Sequence, residues 1–150
     1  MSHAAIKVPH ADMLSQGRAV LALQPFSQLL GAVLARFDAD GTELRIPVGA
    51  ALMQQHGFVH GGVLSYAADN ALTYAGGAAL GTAVVTSEYK INYVRPAIGQ
   101  ELIARAMAIH VGKSQAVCRC EVFVVNDGKE ALCAIAQGTI ARLAAAPSVE

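Results

Sequence analysis

Between Ile46 and Ser87 the chain carries a single Asp, Glu, Lys or Arg side chain, that of Asp69. Upstream, in the same apolar stretch, stands the run His60-Gly61-Gly62. If the residues after His60 form a helix, its first backbone N–H groups lack intrahelical acceptors and carry the positive end of the dipole, a place where an oxyanion is stabilised. Glycines there let a substrate carbonyl approach where a side chain would block it. A carboxylate about two turns further along can draw a proton from water or attack an electrophilic carbon itself.

Each feature alone has an ordinary structural explanation. Asp69 could cap a turn, accept a hydrogen bond in the core or face solvent, and two glycines could serve a tight loop. Yet burying a carboxylate without partners costs several kcal/mol, so one placed on a buried helix has a use or a partner. Together the features point to acyl transfer. A phosphate-binding loop does not fit, because G-x-x-x-x-G-K-[ST] is absent and no lysine lies near. Ser65 sits in "GGVLSYAAD", which is not the Gly-x-Ser-x-Gly elbow of a serine hydrolase.

These residues need elements to hold them. From His60 to about Leu80 there is no proline and no charge but Asp69, which is long enough for a helix and too long for one strand. That helix is apolar nearly all round and must be buried, and its small residues (Ala67, Ala68, Ala71, Ala75, Gly76, Gly77) allow a sheet to come close. Upstream, "HADMLSQGRAVLAL" reads as a helix, "PFSQLLG" as a helical turn ended by Gly31, and Asp40-Gly41 as a hairpin turn between strands 32–38 and 42–48. Downstream the period becomes two. "VVTSEYKINYV" places Val85, Ser87, Tyr89, Ile91 and Tyr93 on one face and Thr86, Glu88, Lys90 and Asn92 on the other. Turns at Pro96/Gly99, Gly112-Lys113 and Asn126-Asp127-Gly128 separate three further strands, and short turns imply antiparallel neighbours. The expected class is α+β, one sheet curled around one helix, in a single domain over residues 1–150.

Composition narrows the setting. The net charge is zero with Lys and Arg scattered, which disfavours nucleic acid as a partner. Hydrophobic residues make up 54% and charged residues 15%, more apolar side chain than a monomer of this size buries, so a subunit interface is expected. No run is long enough to span a bilayer and "MSHAAIKVPHADML" has no secretory pattern, so a cytoplasmic location without membrane partners is expected. The three cysteines are an odd number, and Cys118 and Cys120 lie two apart on a strand without further metal ligands beside them, so reduced, partly buried thiols and no metal site are expected.

The segments "PFSQLLG", "HGFVHGGVLSYAADNA" and "TSEYKINYVRPA", with the Gly-terminated hairpins after them, resemble the hotdog-fold acyl-CoA thioesterases of the phenylacetate-pathway (PaaI-like) group over about 25–143. The resemblance implies a hotdog fold, a curved antiparallel sheet around a long central helix. It also implies a homodimer with active sites between subunits, which can pair further into a tetramer. It makes Asp69 the general base or nucleophile, Gly61 N–H the donor that polarises the thioester carbonyl, and Gln54, or its neighbour Gln55, the amide that places substrate or water. Thr86, with Ser87 as second choice, matches the hydroxyl that the partner subunit brings to the carboxylate. His60 holds the loop or joins the catalysis. Gly62, Asn70, Arg95, Lys113 and Ser114 are the remaining substrate contacts, the last three toward pantetheine or phosphates. Coenzyme A enters only as part of the substrate, and no other cofactor is implied.

Two alternatives stand beside this reading. A hotdog dehydratase or hydratase would use His56 or His60 with Asp69, although "HGFVHGG" lacks the proline-framed loop expected of dehydratases. A non-catalytic acyl-CoA-binding protein would need no buried carboxylate.

Overall fold

The computed structural model describes residues 10–81 and 83–144. The remaining residues, including most of the N-terminal stretch weighed above as a secretory signal, lie outside the described ones. Two helices open the chain, α1 (His10–Ala22) and α2 (Pro25–Leu29). Pro25 starts α2 at a position where its missing N–H is no loss, and Gly31 leaves it with φ 69°. Strands β1 (Val33–Asp38) and β2 (Gly41–Pro47) form the expected hairpin, closed by Asp38 Oδ1 accepting from the N–H groups of Asp40 at 2.8 Å and Gly41 at 3.1 Å. A short 3₁₀ turn and an irregular loop lead into α3 (Gly61–Leu80). Four strands follow: β3 (Val84–Tyr93), β4 (Glu101–Val111), β5 (Gln115–Asn126) and β6 (Lys129–Arg142). Asp127 at φ 48° and Gly128 at φ 78° make the tight β5–β6 turn.

All pairings are antiparallel, in one sheet of order β1-β2-β4-β5-β6-β3. This is the hotdog architecture, with α3 in the hollow of the sheet. One expectation is corrected. The turn at Pro96 and Gly99 does not make β3 and β4 neighbours, because β3 pairs with β6 at one edge while β4 lies beside β2. The connection crosses the end of α3, held by Val59 N–H to Ala97 O at 2.9 Å and Val48 N–H to Gln100 O at 2.8 Å. Those bonds hold the short segment that passes β5 and β6 to reach β4.

The two sheet edges differ. α1 packs on β1, where Arg18 Nε donates to the Leu34 carbonyl at 2.9 Å. Among the described residues β3 has only β6 beside it, which leaves its outer row of backbone groups without a strand partner there. Val85, Tyr93 and the following Val94 are about half exposed along it.

The core lies between sheet and α3. Val63, Leu64, Ala67, Ala68, Ala71, Leu72 and Ala75 form the buried helix face, against Leu44, Ile46, Leu102, Ala104, Cys118, Cys120, Val122 and Ile140. The small residues bring the layers close, and a Cβ on Gly76 would overlap Ile140. Cys118, Cys120 and Cys133 are free thiols, fully buried where partial burial was expected, and burial pushes them up to about 11, about 12 and about 11 respectively. No helix of the described residues is long and apolar enough to cross a membrane.

Candidate active site

Gly61, Ser65, Asp69, Thr73 and Gly77 follow one another at intervals of four on α3 and so share one face. That face meets β3, which runs antiparallel to the helix. Tyr93 OH donates to Gly61 O at 3.2 Å, the Ser65 hydroxyl bonds Tyr89 OH, and Thr86 Oγ1 donates to Asp69 Oδ1 at 2.6 Å. A strict two-residue period would put Thr86 on the opposite face from Tyr89 and Tyr93. A β-bulge between Thr86 and Glu88 inserts one residue, Ser87, and turns Thr86 to the helix side with them. Ser87 points elsewhere, its hydroxyl donating to Thr139 O at 3.2 Å. The structure thus corrects both the expected alternation and the choice of Ser87 as second candidate. Thr86 meets Asp69 of its own chain.

The carboxylate is half-buried and well held. Thr73 Oγ1 lies 2.8 Å from the Asp69 carbonyl oxygen and 2.8 Å from Thr86 Oγ1. The Thr86 proton goes to Asp69 Oδ1 and the single Thr73 proton to the Asp69 carbonyl oxygen, with the two hydroxyl oxygens in contact. Thr73 was not among the expected site residues, although its place four residues after Asp69 was the available signal. The second oxygen, Oδ2, has no partner among the described residues, which leaves it free to bind a proton or attack carbon.

At the helix start, His60 Nδ1 accepts from Gly62 N–H at 2.9 Å and serves as the N-cap. This gives His60 the loop-holding task and removes Gly62 N–H as a substrate contact. Gly61 N–H has no acceptor among the described residues, as an oxyanion donor requires. Gly61 also lines a pocket of about 300 Å³ with Leu64, Tyr93, Arg95 and Ala97, so the structure brings Arg95 to the helix start.

The other expected contacts are spread out. Gln54 folds onto its own turn, its side-chain oxygen accepting from His56 N–H while Gly57 N–H donates to Gln54 O at 3.1 Å; the more exposed Gln55 has no such bond. Asn70 Nδ2 donates to Tyr66 OH at 3.0 Å and Gln24 Oε1 at 3.2 Å, within a polar network completed by Tyr66 OH to Ser27 Oγ at 2.6 Å. Burial pushes the Tyr66 phenol above its ordinary value, offset in part by these bonds. The amide of Asn70 therefore ties α3 to α2, and the residue reaches substrate space only as a wall of the pocket beside α1. Lys113 and Ser114 form the β4–β5 turn, beside Arg142, whose N–H donates to Ser114 O at 2.8 Å. Arg142 pairs with Val84 at the start of β3, whereas Arg95 follows its end, so one chain keeps Lys113 and Arg95 at opposite ends of that strand.

The decisive measure is along the helix. Gly61 and Asp69 are separated by about 12 Å of helical rise, at about 1.5 Å per residue. No single carbonyl group reaches both within one chain.

A curved antiparallel sheet on one long helix, with a lone carboxylate on the helix face turned to an open sheet edge, defines the class. The chain belongs to the Thioesterase superfamily, whose family model matches residues 56–131. A Haemophilus influenzae protein with a provisional esterase designation is 29% identical over 113 residues, 74% of this chain and 80% of that one. A thioesterase family protein from Silicibacter pomeroyi superposes with a TM-score of 0.79 at 31% identity, covering 90% of this chain and 98% of the other. The PaaI protein of the Escherichia coli phenylacetic acid degradation operon superposes with a TM-score of 0.78 at 25% identity, covering 91% and 97%.

Proposed function

We propose that this member of the superfamily hydrolyses acyl-CoA thioesters in a homodimer whose two sites each draw on both chains. The observation that carries the reading is the separation of Asp69 from Gly61 on one helix, combined with the open edge of β3 beside both. A two-fold axis through the middle of β3, between Glu88 and Tyr89, would extend the sheet and set the Thr86 end of one strand beside the Tyr93 end of the other. Asp69 of one chain then faces the free Gly61 N–H of its partner, and Lys113 is carried toward the partner's Arg95 end. The exposed Val85, Tyr93 and Val94 would be covered by the same contact. Further pairing of dimers into a tetramer is compatible with this arrangement.

In this site the thioester oxygen accepts from Gly61 N–H at the positive end of α3, which stabilises the charge that develops on it. Asp69, oriented by Thr86 and Thr73, takes a proton from water through its free oxygen as the water attacks the carbonyl carbon. The tetrahedral intermediate collapses with loss of the CoA thiolate, which recovers the proton. Gln54, its side-chain oxygen fixed by the loop, has amide N–H groups without a partner among the described residues and can offer them to water or substrate. Arg95 and Lys113 supply positive charge for the phosphates of CoA. The reaction uses no further cofactor, and the three unpaired thiols suit a reducing, cytoplasmic setting.

The test is thiol release from acetyl-, hexanoyl-, dodecanoyl- and phenylacetyl-CoA by the wild type and Asp69→Asn. Loss of a general base lowers the rate by about 10² to 10⁴, while Asn keeps the shape of the side chain. Full turnover by Asp69→Asn would remove Asp69 from the mechanism.

A further inference from the structure

Beside Thr73 a second cavity opens between α1, β1 and α3, and its wall suits an apolar guest. Its volume is about 160 Å³, and Val20, Phe37, Tyr74, Gly77 and Val84 line it together with Thr73. Gln16, Gln24 and Asn70 add amide groups to that wall, which is otherwise largely apolar, and its hydroxyls are engaged. Tyr74 OH donates to Gly17 O at 2.8 Å and Thr73 Oγ1 is held between Asp69 and Thr86. Phe37 meets Tyr74 edge to face with centroids 5.2 Å apart, so the ring surfaces at the back are locked. α1 is seated closely, since a Cβ on Gly17 would stand 2.7 Å from both Leu34 and Phe37. What remains is a mainly apolar recess backed by the two packed rings, one helical turn from the carboxylate.

We propose that this recess receives the acyl group of the substrate and limits it to about a single ring or six carbons, since an apolar cavity of roughly 150 Å³ accommodates benzene. The proposal rests on the thioesterase reading, which supplies the thioester carbon at Asp69. A short acyl group then runs from that carbon past Thr73 into the recess. A longer chain has to leave through the open side and loses contact with the wall. It also assigns a task to α1, which carries none of the chemistry: Val20 forms the rim that the end of the acyl group meets.

Two variants test this without disturbing the core. Val20 is 46% exposed, so Val20→Trp fills the rim from outside. A Cβ on Gly77 would meet Val84 at 3.5 Å, an ordinary contact, so Gly77→Ala narrows the recess by one methyl within an intact helix. The kcat/KM of each protein is measured on acetyl-, hexanoyl-, phenylacetyl- and dodecanoyl-CoA. The expected wild type favours hexanoyl- or phenylacetyl-CoA over dodecanoyl-CoA, the two preferred arms separating chain from ring. Val20→Trp should lower the hexanoyl-to-acetyl ratio about tenfold, the size of effect a filled apolar pocket produces. An active enzyme whose ratios stay the same in both variants would overturn the proposal. If the wild type hydrolyses no thioester, the thioesterase reading falls, and the recess is judged alone by NMR titration with hexanoate and phenylacetate. Shifts of Val20, Tyr74 and Val84 that Val20→Trp abolishes would support acyl binding there, and their absence would refute it.

Discussion

Thr86 Oγ1 donates to Asp69 Oδ1 across 2.6 Å, joining the edge strand to the central helix within one chain. The carboxylate is therefore oriented by its own protomer before any second subunit arrives. In the composite site proposed above, the partner subunit would then supply the oxyanion donor.

Removing the Thr86 hydroxyl isolates that orientation. A hydrogen bond to a charged group contributes about 1.5–3 kcal/mol, so Thr86→Val should lower kcat by roughly 10- to 100-fold with KM little changed. Thr86→Ser keeps the donor and should recover most of the rate. Equal kcat in the Val variant and the wild type would show that Thr86 merely packs.

The composite site proposed above can be rebuilt from two damaged chains. Gly61→Pro removes the N–H but suits the first position of a helix, and His60 at φ −60°, ψ 134° already has the backbone that precedes proline. Asp69→Asn and Gly61→Pro should each be nearly inactive. Unfolded together and refolded, random pairing makes one intact site in each mixed dimer and should restore about a quarter of wild-type turnover. Mixed dimers that form yet stay inactive would place the whole site in one chain.

His60 is predicted to act through the helix cap. His60→Ala should destabilise the protein by about 0.5–2 kcal/mol, whereas Asn, a strong N-cap residue, should restore stability. Turnover should follow the same order, high in Asn and reduced in Ala. An Asn variant with wild-type stability and no activity would give the imidazole a direct part in the reaction.

The buried thiols predict how stability depends on alkali. Burial raises them from an ordinary value of 9.0 to about 11, about 12 and about 11 for Cys118, Cys120 and Cys133. The folded chain thus keeps protons that the unfolded chain releases above about pH 9. The resulting stabilisation is complete below that pH and is lost as pH rises toward 11 to 12. The urea midpoint should fall between pH 8 and pH 10.5, and less so in Cys120→Ala. At pH 8 the native protein should be almost inert to an aromatic disulfide reagent. A flat midpoint, or quick labelling of all three thiols, would contradict their burial.

Much of the architecture is legible in the sequence, because glycines and prolines punctuate it where the chain turns. Asp40-Gly41, Asn126-Asp127-Gly128 and Gly31 end their elements as read, and the charge-poor run after His60 forms the helix. Two features escape a reading based on period. The bulge at Ser87 reverses the face of every residue before it, and nothing in "VVTSEYKINYV" marks the extra residue. Strand order is equally silent, since the Pro96–Gly99 segment looks like a hairpin turn and acts as a crossover held by tertiary hydrogen bonds. Within the site, Gly61 and His60 form the helix start and Asp69 lies about two turns along it as read, whereas Thr86, expected from the partner subunit, bonds Asp69 of its own chain. Gly62 and Asn70 do not take the roles expected of them, because their donors are used by His60, Tyr66 and Gln24, partners that only the folded chain supplies.

The contact of Gly76 with Ile140 carries a consequence for how such a protein can diversify. Helix and sheet are pressed together there so closely that a single methyl group would not fit. A lineage therefore has no slack in the central layer with which to try out new substrates. On α1, by contrast, Val20 is half exposed and would accept substitution at little cost to the fold.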